Sequence, residues 1–334
     1  MNIVIAASLI TFLIIWYLIE RSHRKTHEMP SGIQPQITLD HEQEWELYHN
    51  DFSLCSKKIR MCLAELGIDY KSHHIDLVET GRYENISRKY LKINPGGLVP
   101  VLVHNGHPIY ESHDQIRYAL SKSVKNNNLA QPQNREEQEL VDHWIERTSL
   151  KGNDPISNMK SSAGNAAPGL TLPIFAAMMR NIPASRLIEG FLFHRFKLRP
   201  MIFLVLKLVG VSKLPKIAPM KKIMTSASQA MHDHLDQLES DLKTIPGPWL
   251  TGSQLSLADI GFAAIFDRLA ESTMHNKFIN ESRPLVSDYC TKLMARESYI
   301  LAIKNHAHPL TTKGTADILA HRQKNQELDA LLSS

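Results

Sequence analysis

The chain has 334 residues, 43% of them apolar and 22% charged, which excludes bulk disorder and allows about two domains with a sizeable core. Its formal net charge of +4 is weak for a nucleic-acid-binding protein of this length, so we expect no nucleic-acid partner. Three cysteines, Cys55, Cys62 and Cys290, do not make a disulfide framework and favour a reducing compartment. Neither an HExxH motif nor paired CxxC spacing occurs, so no metal site is predicted.

The N-terminal segment is predicted to anchor the protein in a membrane. Residues 3–19 carry no charge, and as a helix they would span about 26 Å, near the ~30 Å hydrocarbon core of a bilayer. A signal peptide would carry its basic residues before the apolar run, whereas here they follow it at residues 21–25. We therefore predict a single-pass transmembrane anchor over 1–21 with the C-terminal body in the cytoplasm. The following residues, 22–43, contain two prolines and mixed charge, and are predicted to be a linker.

The next segment, residues 44–123, has the element order of a thioredoxin-like α/β domain. Strands are predicted at 45–49 and 70–77 around a helix at 56–66, and a further helix is expected near 82–91. Asn105-Gly106 then joins two short apolar strands, and this dipeptide is a strong signal for a hairpin turn. A last helix begins near Ser112, which gives a mixed sheet with helices on its faces.

The turn before the first helix of this domain, residues 51–56, could carry chemistry. It places Ser53 and Cys55 at a helix N-terminus, where a thiol ionises more easily and a hydroxyl can donate to a bound thiolate. The alternative is that Ser53 only caps the helix and Cys55 fills a small apolar space.

Two further features of the domain point to a bound peptide. If the Val99-Pro100 bond at the start of a strand is cis, it would expose the Val99 backbone to an extended peptide; a trans proline that opens the strand is the alternative. Glu111-Ser112 precedes the last helix, where Ser112 could cap the helix while the free N–H groups face a carboxylate.

These segments resemble the glutathione transferase superfamily. The sequence LYHNDFSLCSKKIRMCLAELGIDY is similar to the first strand and helix of zeta-class enzymes and of tetrachlorohydroquinone reductive dehalogenases. INPGGLVPVL and YESHDQIRYAL resemble the cis-proline segment and the Glu/Gln-Ser turn of the same enzymes. LTGSQLSLADIGFAAIF resembles a helix start in the second domain, where Ser256 and Asp259 form a capping-box pattern. There is partial similarity to the ganglioside-induced differentiation-associated family, whose anchor is C-terminal.

The resemblance implies a thioredoxin-like glutathione-binding domain over 44–123 and an all-helical glutathione transferase C-terminal domain over 124–310. It implies glutathione as cosubstrate and a homodimer. The implied roles are thiolate activation by Ser53, a mixed disulfide with glutathione at Cys55, and binding of glutathione by Val99, Pro100, Glu111 and Ser112. Val99 and Pro100 would hold the cysteinyl part of glutathione. Glu111 and Ser112 would hold its γ-glutamyl group.

A basic, apolar insertion at 180–222 interrupts the C-terminal domain, with ten lysines and arginines against the single acid Glu189. Such a segment could lie on an anionic membrane surface, or it could be a helical hairpin whose basic face is in water. Both interpretations stay open. Residues 311–334 are predicted to be a polar C-terminal tail.

The function predicted from the sequence is a glutathione-dependent transferase that acts on a hydrophobic small-molecule electrophile. Ser53 would hold the glutathione thiolate, or Cys55 would take part in thiol exchange or reductive dehalogenation. The alternative is a non-catalytic, membrane-tethered binding module with the glutathione transferase fold, whose working surface is 180–222. Membrane lipid is an expected partner of 3–19 and possible for 180–222.

Overall fold

The computed structural model describes residues 2–123, 128–152 and 154–333. A first helix, α1 (Asn2–His23), precedes an α/β domain. The elements of that domain are β1 (Gly32–Ile33), β2 (Trp45–His49), α2 (Leu54–Leu66), β3 (Lys71–His74), β4 (Val101–His104), β5 (His107–Tyr110) and α3 (Ser112–Lys122). The helical domain follows, with α4 (Arg135–Thr148), α5 (Ala163–Leu170), α6 (Leu172–Met179), α7 (Ala184–Phe193), α8 (Leu198–Val209), α9 (Ala218–Leu242), α10 (Leu257–Glu271), α11 (His275–Phe278), α12 (Pro284–Met294), α13 (Glu297–Ala302), α14 (Pro309–Arg322) and α15 (Gln326–Ser333).

The sheet has the order β1-β5-β4-β2-β3, in which β2 runs parallel to β3 and antiparallel to β4. The predicted thioredoxin-like order is therefore confirmed. The helix expected near 82–91 is wrong, because the chain forms two short 3₁₀ turns there instead. Those turns let the Asn85 side chain donate to the Gly97 carbonyl (2.8 Å) and the Tyr90 hydroxyl donate to the Leu98 carbonyl (2.6 Å).

Helix α1 projects its apolar side chains away from the body of the protein. From Ile5 to Ile19 every side chain is exposed except Tyr17, which is half-buried. At the end of the helix the rings of Trp16 and Tyr17 contact Phe193 of α7, with centroid distances of 6.2 and 5.9 Å. In the described part of the chain one segment, Ile5–His23, is long and apolar enough to cross a membrane.

The segment predicted as a linker, 22–43, is instead docked on the α/β domain. Its strand β1 pairs antiparallel with β5, the His27 N–H donates to the Pro95 carbonyl (2.8 Å), and Arg24 is buried. The physical reason is that β5 would otherwise be an edge strand with unpaired backbone groups. Prolines and mixed charge gave no sign of this pairing, because it depends on a strand far away in the chain.

The predicted polar tail, 311–334, is also wrong, because α14 and α15 form there and pack on the helical domain. Ile318, Leu328 and Leu332 are fully buried. The last two lie four residues apart on one face of α15, so a segment that is polar on average still carries an apolar stripe.

The basic insertion, 180–222, contains α7, α8 and the start of α9. Leu187 and Phe203 are buried in the core, whereas Ile188 and Leu208 are exposed to solvent by 58% and 75%. The helical-hairpin interpretation therefore describes the fold of this segment, and the hairpin still presents an exposed apolar surface.

Candidate active site

The turn between β2 and α2 is held by two buried side chains. Asn50 donates from Nδ2 to the Ile75 carbonyl (2.9 Å) and the Thr80 hydroxyl (2.9 Å), and its Oδ1 accepts from the Phe52 N–H (3.0 Å). The Arg60 guanidinium, fully buried in α2, donates to the Asn50 carbonyl (3.2 Å). The backbone that leads into Ser53 is therefore fixed by the segment that follows β3 and by α2.

Ser53 and Cys55 lie at the N-terminus of α2, as the sequence predicted. Ser53 occupies the N-cap position, and its Oγ accepts from the Ser56 N–H (3.3 Å). This hydrogen bond uses a lone pair of the oxygen, so the hydroxyl hydrogen remains free to donate to an anion. Cys55 is half-buried and unpaired, whereas burial raises the pKa of Cys62 and Cys290. Of the three cysteines, Cys55 is the one placed to react.

A buried lysine that the sequence analysis did not single out lies beside this turn. Lys58 is 3% exposed, its Nζ donates to the Thr148 carbonyl (3.3 Å), and it has no carboxylate partner within ion-pair distance among the described residues. Burial lowers the pKa of Lys58, and the Cys55 sulfur acts in the opposite direction. Its neighbour Lys57, in contrast, pairs with Asp267 (2.5 Å) in α10. Lys58 is therefore a cation available to a sulfur anion at the start of α2.

The Val99-Pro100 peptide bond is cis, and it lies beside the end of β2 because Val101 pairs with Tyr48. Val99 is half-buried, whereas Pro100 is buried. A second residue that the sequence analysis missed, the fully buried Gln115, donates from Nε2 to the carbonyls of Pro100 and Ile109 (both 2.9 Å). This side chain ties the first turn of α3 to the proline, and nothing in its local sequence marked it.

The predicted helix cap at Ser112 is wrong by one residue. Glu111 occupies the N-cap position with a φ of 65°, and it makes no side-chain capping bond, so Ser112 is the first helical residue. The Glu111 carbonyl accepts from the N–H groups of Asp114 (3.0 Å) and Gln115 (2.9 Å), which leaves the two earlier helical N–H groups for another acceptor. A carboxylate at this helix N-terminus would meet those groups.

A cluster of histidines surrounds Asp51, the first residue of the turn. The Asp51 carboxylate is 3.3 Å from Nδ1 of His306 and 3.5 Å from Nδ1 of His74. Burial alone would raise the pKa of Asp51, but hydrogen bonds from these two histidines hold it well below its usual range. The hydrogen bond with Asp51 raises the pKa of His74, and burial lowers that of His49 to about 3. The cluster joins the segment before α14 to the turn that carries Ser53.

The Ser256–Asp259 pair lies away from this site and caps α10. The buried Asp259 carboxylate accepts from the N–H groups of Ser256 (2.9 Å) and Leu250 (2.9 Å) and from the Tyr289 hydroxyl (3.0 Å). The capping box that the sequence predicted is present. It fixes the start of the helix whose other end pairs with Lys57.

The candidate residues thus meet at one edge of the sheet. Ser53 and Cys55 follow β2, Val99 and Pro100 precede its antiparallel partner β4, and Gln115 joins α3 to the same proline. The edge offers a free hydroxyl, a free thiol, a buried ammonium group and helix N–H groups. This combination suits a peptide that carries both a thiolate and a carboxylate.

Both domains of this chain are similar to known proteins. Residues 52–121 match the family model of the glutathione S-transferase N-terminal domain, and residues 202–297 match that of the C-terminal domain. Glutathione S-transferase TCHQD of Arabidopsis thaliana is 26% identical over 267 residues, which cover 76% of this chain and 87% of the relative. A 2,5-dichlorohydroquinone reductive dechlorinase of Sphingobium indicum is 24% identical over 309 residues, which cover 81% of this chain and 85% of the relative.

Among solved structures, the fold is similar to that of the beta-etherase LigF from Sphingobium sp. strain SYK-6. The TM-score is 0.60 at 17% identity, and the match covers 79% of this chain and all of the etherase. The chain therefore belongs to the glutathione transferase superfamily, with both the N-terminal and the C-terminal domain of that superfamily.

Proposed function

We propose that this protein is a glutathione-dependent transferase that acts on a hydrophobic electrophile. The observation that carries the proposal is the Ser53 hydroxyl, which caps α2 through its oxygen and keeps its hydrogen for a glutathione thiolate. The backbone of Val99 would pair with the cysteinyl part of glutathione, and the N-terminus of α3 would receive the γ-glutamyl carboxylate. The thiolate would attack the electrophilic carbon, a C–S bond would form, and the leaving group would depart with the bonding electrons.

Cys55 supports a second reaction on the same adduct. Its thiolate would attack the glutathionyl sulfur of an aromatic thioether, which forms a Cys55–glutathione disulfide and releases the aromatic product with a proton in place of the original leaving group. A second glutathione thiolate would then reduce the mixed disulfide and leave as glutathione disulfide. The half-exposed position of Cys55 and the similarity to a reductive dechlorinase favour this route.

We also propose that α1 anchors the enzyme in a membrane as a single-pass helix, with the catalytic body in the cytoplasm. Apart from the half-buried Tyr17, its side chains from Ile5 to Ile19 are exposed, an arrangement that water does not stabilise. The basic residues at 21–25 follow this run, and they favour the cytoplasmic side. The exposed Ile188, Leu198 and Leu208 give the 180–222 hairpin an apolar surface as well, and Phe193 of the same hairpin contacts the end of α1. Substrates dissolved in lipid would then be close to the site.

The test uses the full chain in detergent micelles. We expect the protein to be retained on immobilised glutathione and to conjugate 1-chloro-2,4-dinitrobenzene. Carbonate extraction of membranes tests the anchor, and it should leave the protein in the lipid fraction. Absence of both retention and turnover would contradict the enzymatic proposal and favour the non-catalytic binding module. A homodimer, which the family resemblance implies, is checked by light scattering of the same sample, where a monomer mass would contradict it.

A further inference from the structure

A polar cavity lies where α1 meets the α/β domain and α7. Its volume is about 240 Å³, and four arginines line it: Arg24, Arg82, Arg88 and Arg186. Tyr83, Ser87 and three glutamates complete the wall. Asp76, which pairs with Arg82 (3.1 Å), balances the one excess positive charge of these seven side chains, so the cavity would hold an anion through guanidinium N–H groups that the carboxylates leave free.

The arginines are held in place by the glutamates. Arg24 is 8% exposed, and it donates to the Ile86 carbonyl (2.9 Å) and to Glu189 (2.7 Å). Arg88 pairs with Glu20 of α1 (2.6 Å). Because the guanidinium group has five N–H donors, each arginine keeps donors for a further acceptor.

Tyr83 gives a second, independent indication of a ligand. Its side chain is 3% exposed, yet its hydroxyl has no hydrogen-bond partner in the described part of the chain. A buried hydroxyl without a partner costs stability, and Tyr83 is one of the residues that line the cavity. Gly190 of α7 leaves the space that the hydroxyl occupies, since a Cβ at this position would lie 2.4 Å from the Tyr83 oxygen.

The cavity lies at the end of the proposed membrane anchor. Glu20 directly follows the exposed apolar run of α1, and Arg24 lies one turn further on, so both wall residues belong to the end of the anchor. If α1 spans the bilayer, as the proposed function requires, the cavity lies at the depth of the lipid phosphates. Arg21 and Lys25 add positive charge beside it.

We propose that this cavity binds the phosphate headgroup of an anionic phospholipid that has an exposed phosphomonoester. The side chains of Arg88 and Arg186 are 46% and 44% exposed, and they receive the phosphate oxygens in the bidentate geometry that guanidinium groups favour. The Tyr83 hydroxyl donates to a further oxygen. A choline headgroup brings its own cation towards the arginines and is therefore disfavoured.

The test is calorimetric titration of the full chain in dodecyl maltoside with three probes: dihexanoylphosphatidic acid, dihexanoylphosphatidylcholine and inorganic phosphate. The phosphatidic acid is expected to bind, and Arg88→Gln and Arg186→Gln are each expected to weaken it roughly tenfold. Arg135→Gln is the matched control, because Arg135 pairs with Glu139 (2.7 Å) on the exposed face of α4. It should leave the affinity unchanged.

Tyr83→Phe keeps the shape of the buried ring and removes the unpartnered hydroxyl. It should weaken binding of the phosphatidic acid several-fold and leave the free protein at least as stable to urea, a combination that simple loss of structure does not produce. Affinity that does not change in Arg88→Gln and Arg186→Gln would overturn the proposal. So would equal affinity for phosphatidylcholine, and equal affinity for inorganic phosphate would overturn the lipid assignment.

Failure of this inference and failure of the proposed function are distinguishable. Glutathione retention of the same samples reports on the site at Ser53, which shares no residue with the cavity wall. Carbonate extraction reports on the anchor alone.

Discussion

Replacement of Ser53 by alanine tests the proposed thiolate contact directly. In the structure the Ser53 oxygen accepts one hydrogen bond from Ser56, so the substitution removes both a helix cap and the free hydroxyl hydrogen. A hydrogen bond to a charged group stabilises by about 1.5–3 kcal/mol. At about 1.4 kcal/mol per pKa unit, its loss should raise the pKa of the bound glutathione thiol by about 1–2 units.

The same free energy sets the expected effect on the rate. Below the pKa of the wild-type complex, kcat/KM of Ser53→Ala should fall roughly 10- to 100-fold, because each 1.4 kcal/mol corresponds to about a factor of ten. The assay is the pH profile of 1-chloro-2,4-dinitrobenzene conjugation, together with the thiolate absorbance of the glutathione complex. Both should shift to higher pH by the same amount.

The lost helix cap needs a control, because it costs about 1 kcal/mol of stability by itself. Asn134 caps α4 in the same way, with its Oδ1 accepting from the Glu137 N–H at 2.9 Å, and it is exposed. Asn134→Ala should therefore lower the urea midpoint about as much as Ser53→Ala and leave the pH profile unchanged. An unaltered profile in Ser53→Ala, combined with loss of turnover in Cys55→Ser, would refute the serine contact and leave the cysteine route.

Three further substitutions probe the surroundings of the turn. Lys58→Met removes the buried ammonium group near Cys55 and should slow alkylation of that thiol by iodoacetamide at neutral pH roughly three- to tenfold. An unchanged alkylation rate would show that Lys58 does not influence the Cys55 thiol. His74→Gln should lower the free energy of unfolding below about pH 6.5 and have less effect as the pH rises through the raised pKa of His74, because only the protonated histidine gains from Asp51. Urea denaturation at a series of pH values measures this, and a pH-independent difference would contradict it. Asp259→Asn places an amide N–H against the Ser256 N–H and should cost about 2 kcal/mol in urea denaturation, whereas an unchanged midpoint would show that the capping box is unimportant.

Local signals in the sequence were sufficient for much of the α/β domain. Asn105 and Gly106 have φ values of 50° and 81°, as a tight hairpin turn requires, and Gly67 ends α2 with a φ of 65°. Such features follow from the conformational preferences of two or three adjacent residues. Docking of β1 on β5 depends on a partner strand far along the chain, and neither segment alone carries a sign of it.

The sequence predicted those residues of the candidate site that a local pattern marks, and it missed the others. Ser53 and Cys55 are marked by their position before an amphipathic helix, and Pro100 by its position before a strand. Lys58 and Gln115 are polar residues that a helical pattern would place in water. Both are buried because other elements close over them, so their roles became apparent only from the contacts with Thr148 and with the Pro100 carbonyl.

The cationic side chains of α2 connect the helical domain to the turn that carries Ser53 in the α/β domain. Lys57 pairs with Asp267 and Glu271 of α10, and Arg60 donates to the Ala302 carbonyl at the end of α13 (2.7 Å). Taking these cations out of water is favourable only if their partners stay in place. The helical domain therefore fixes the orientation of α2, and with it the hydroxyl of Ser53 at its start.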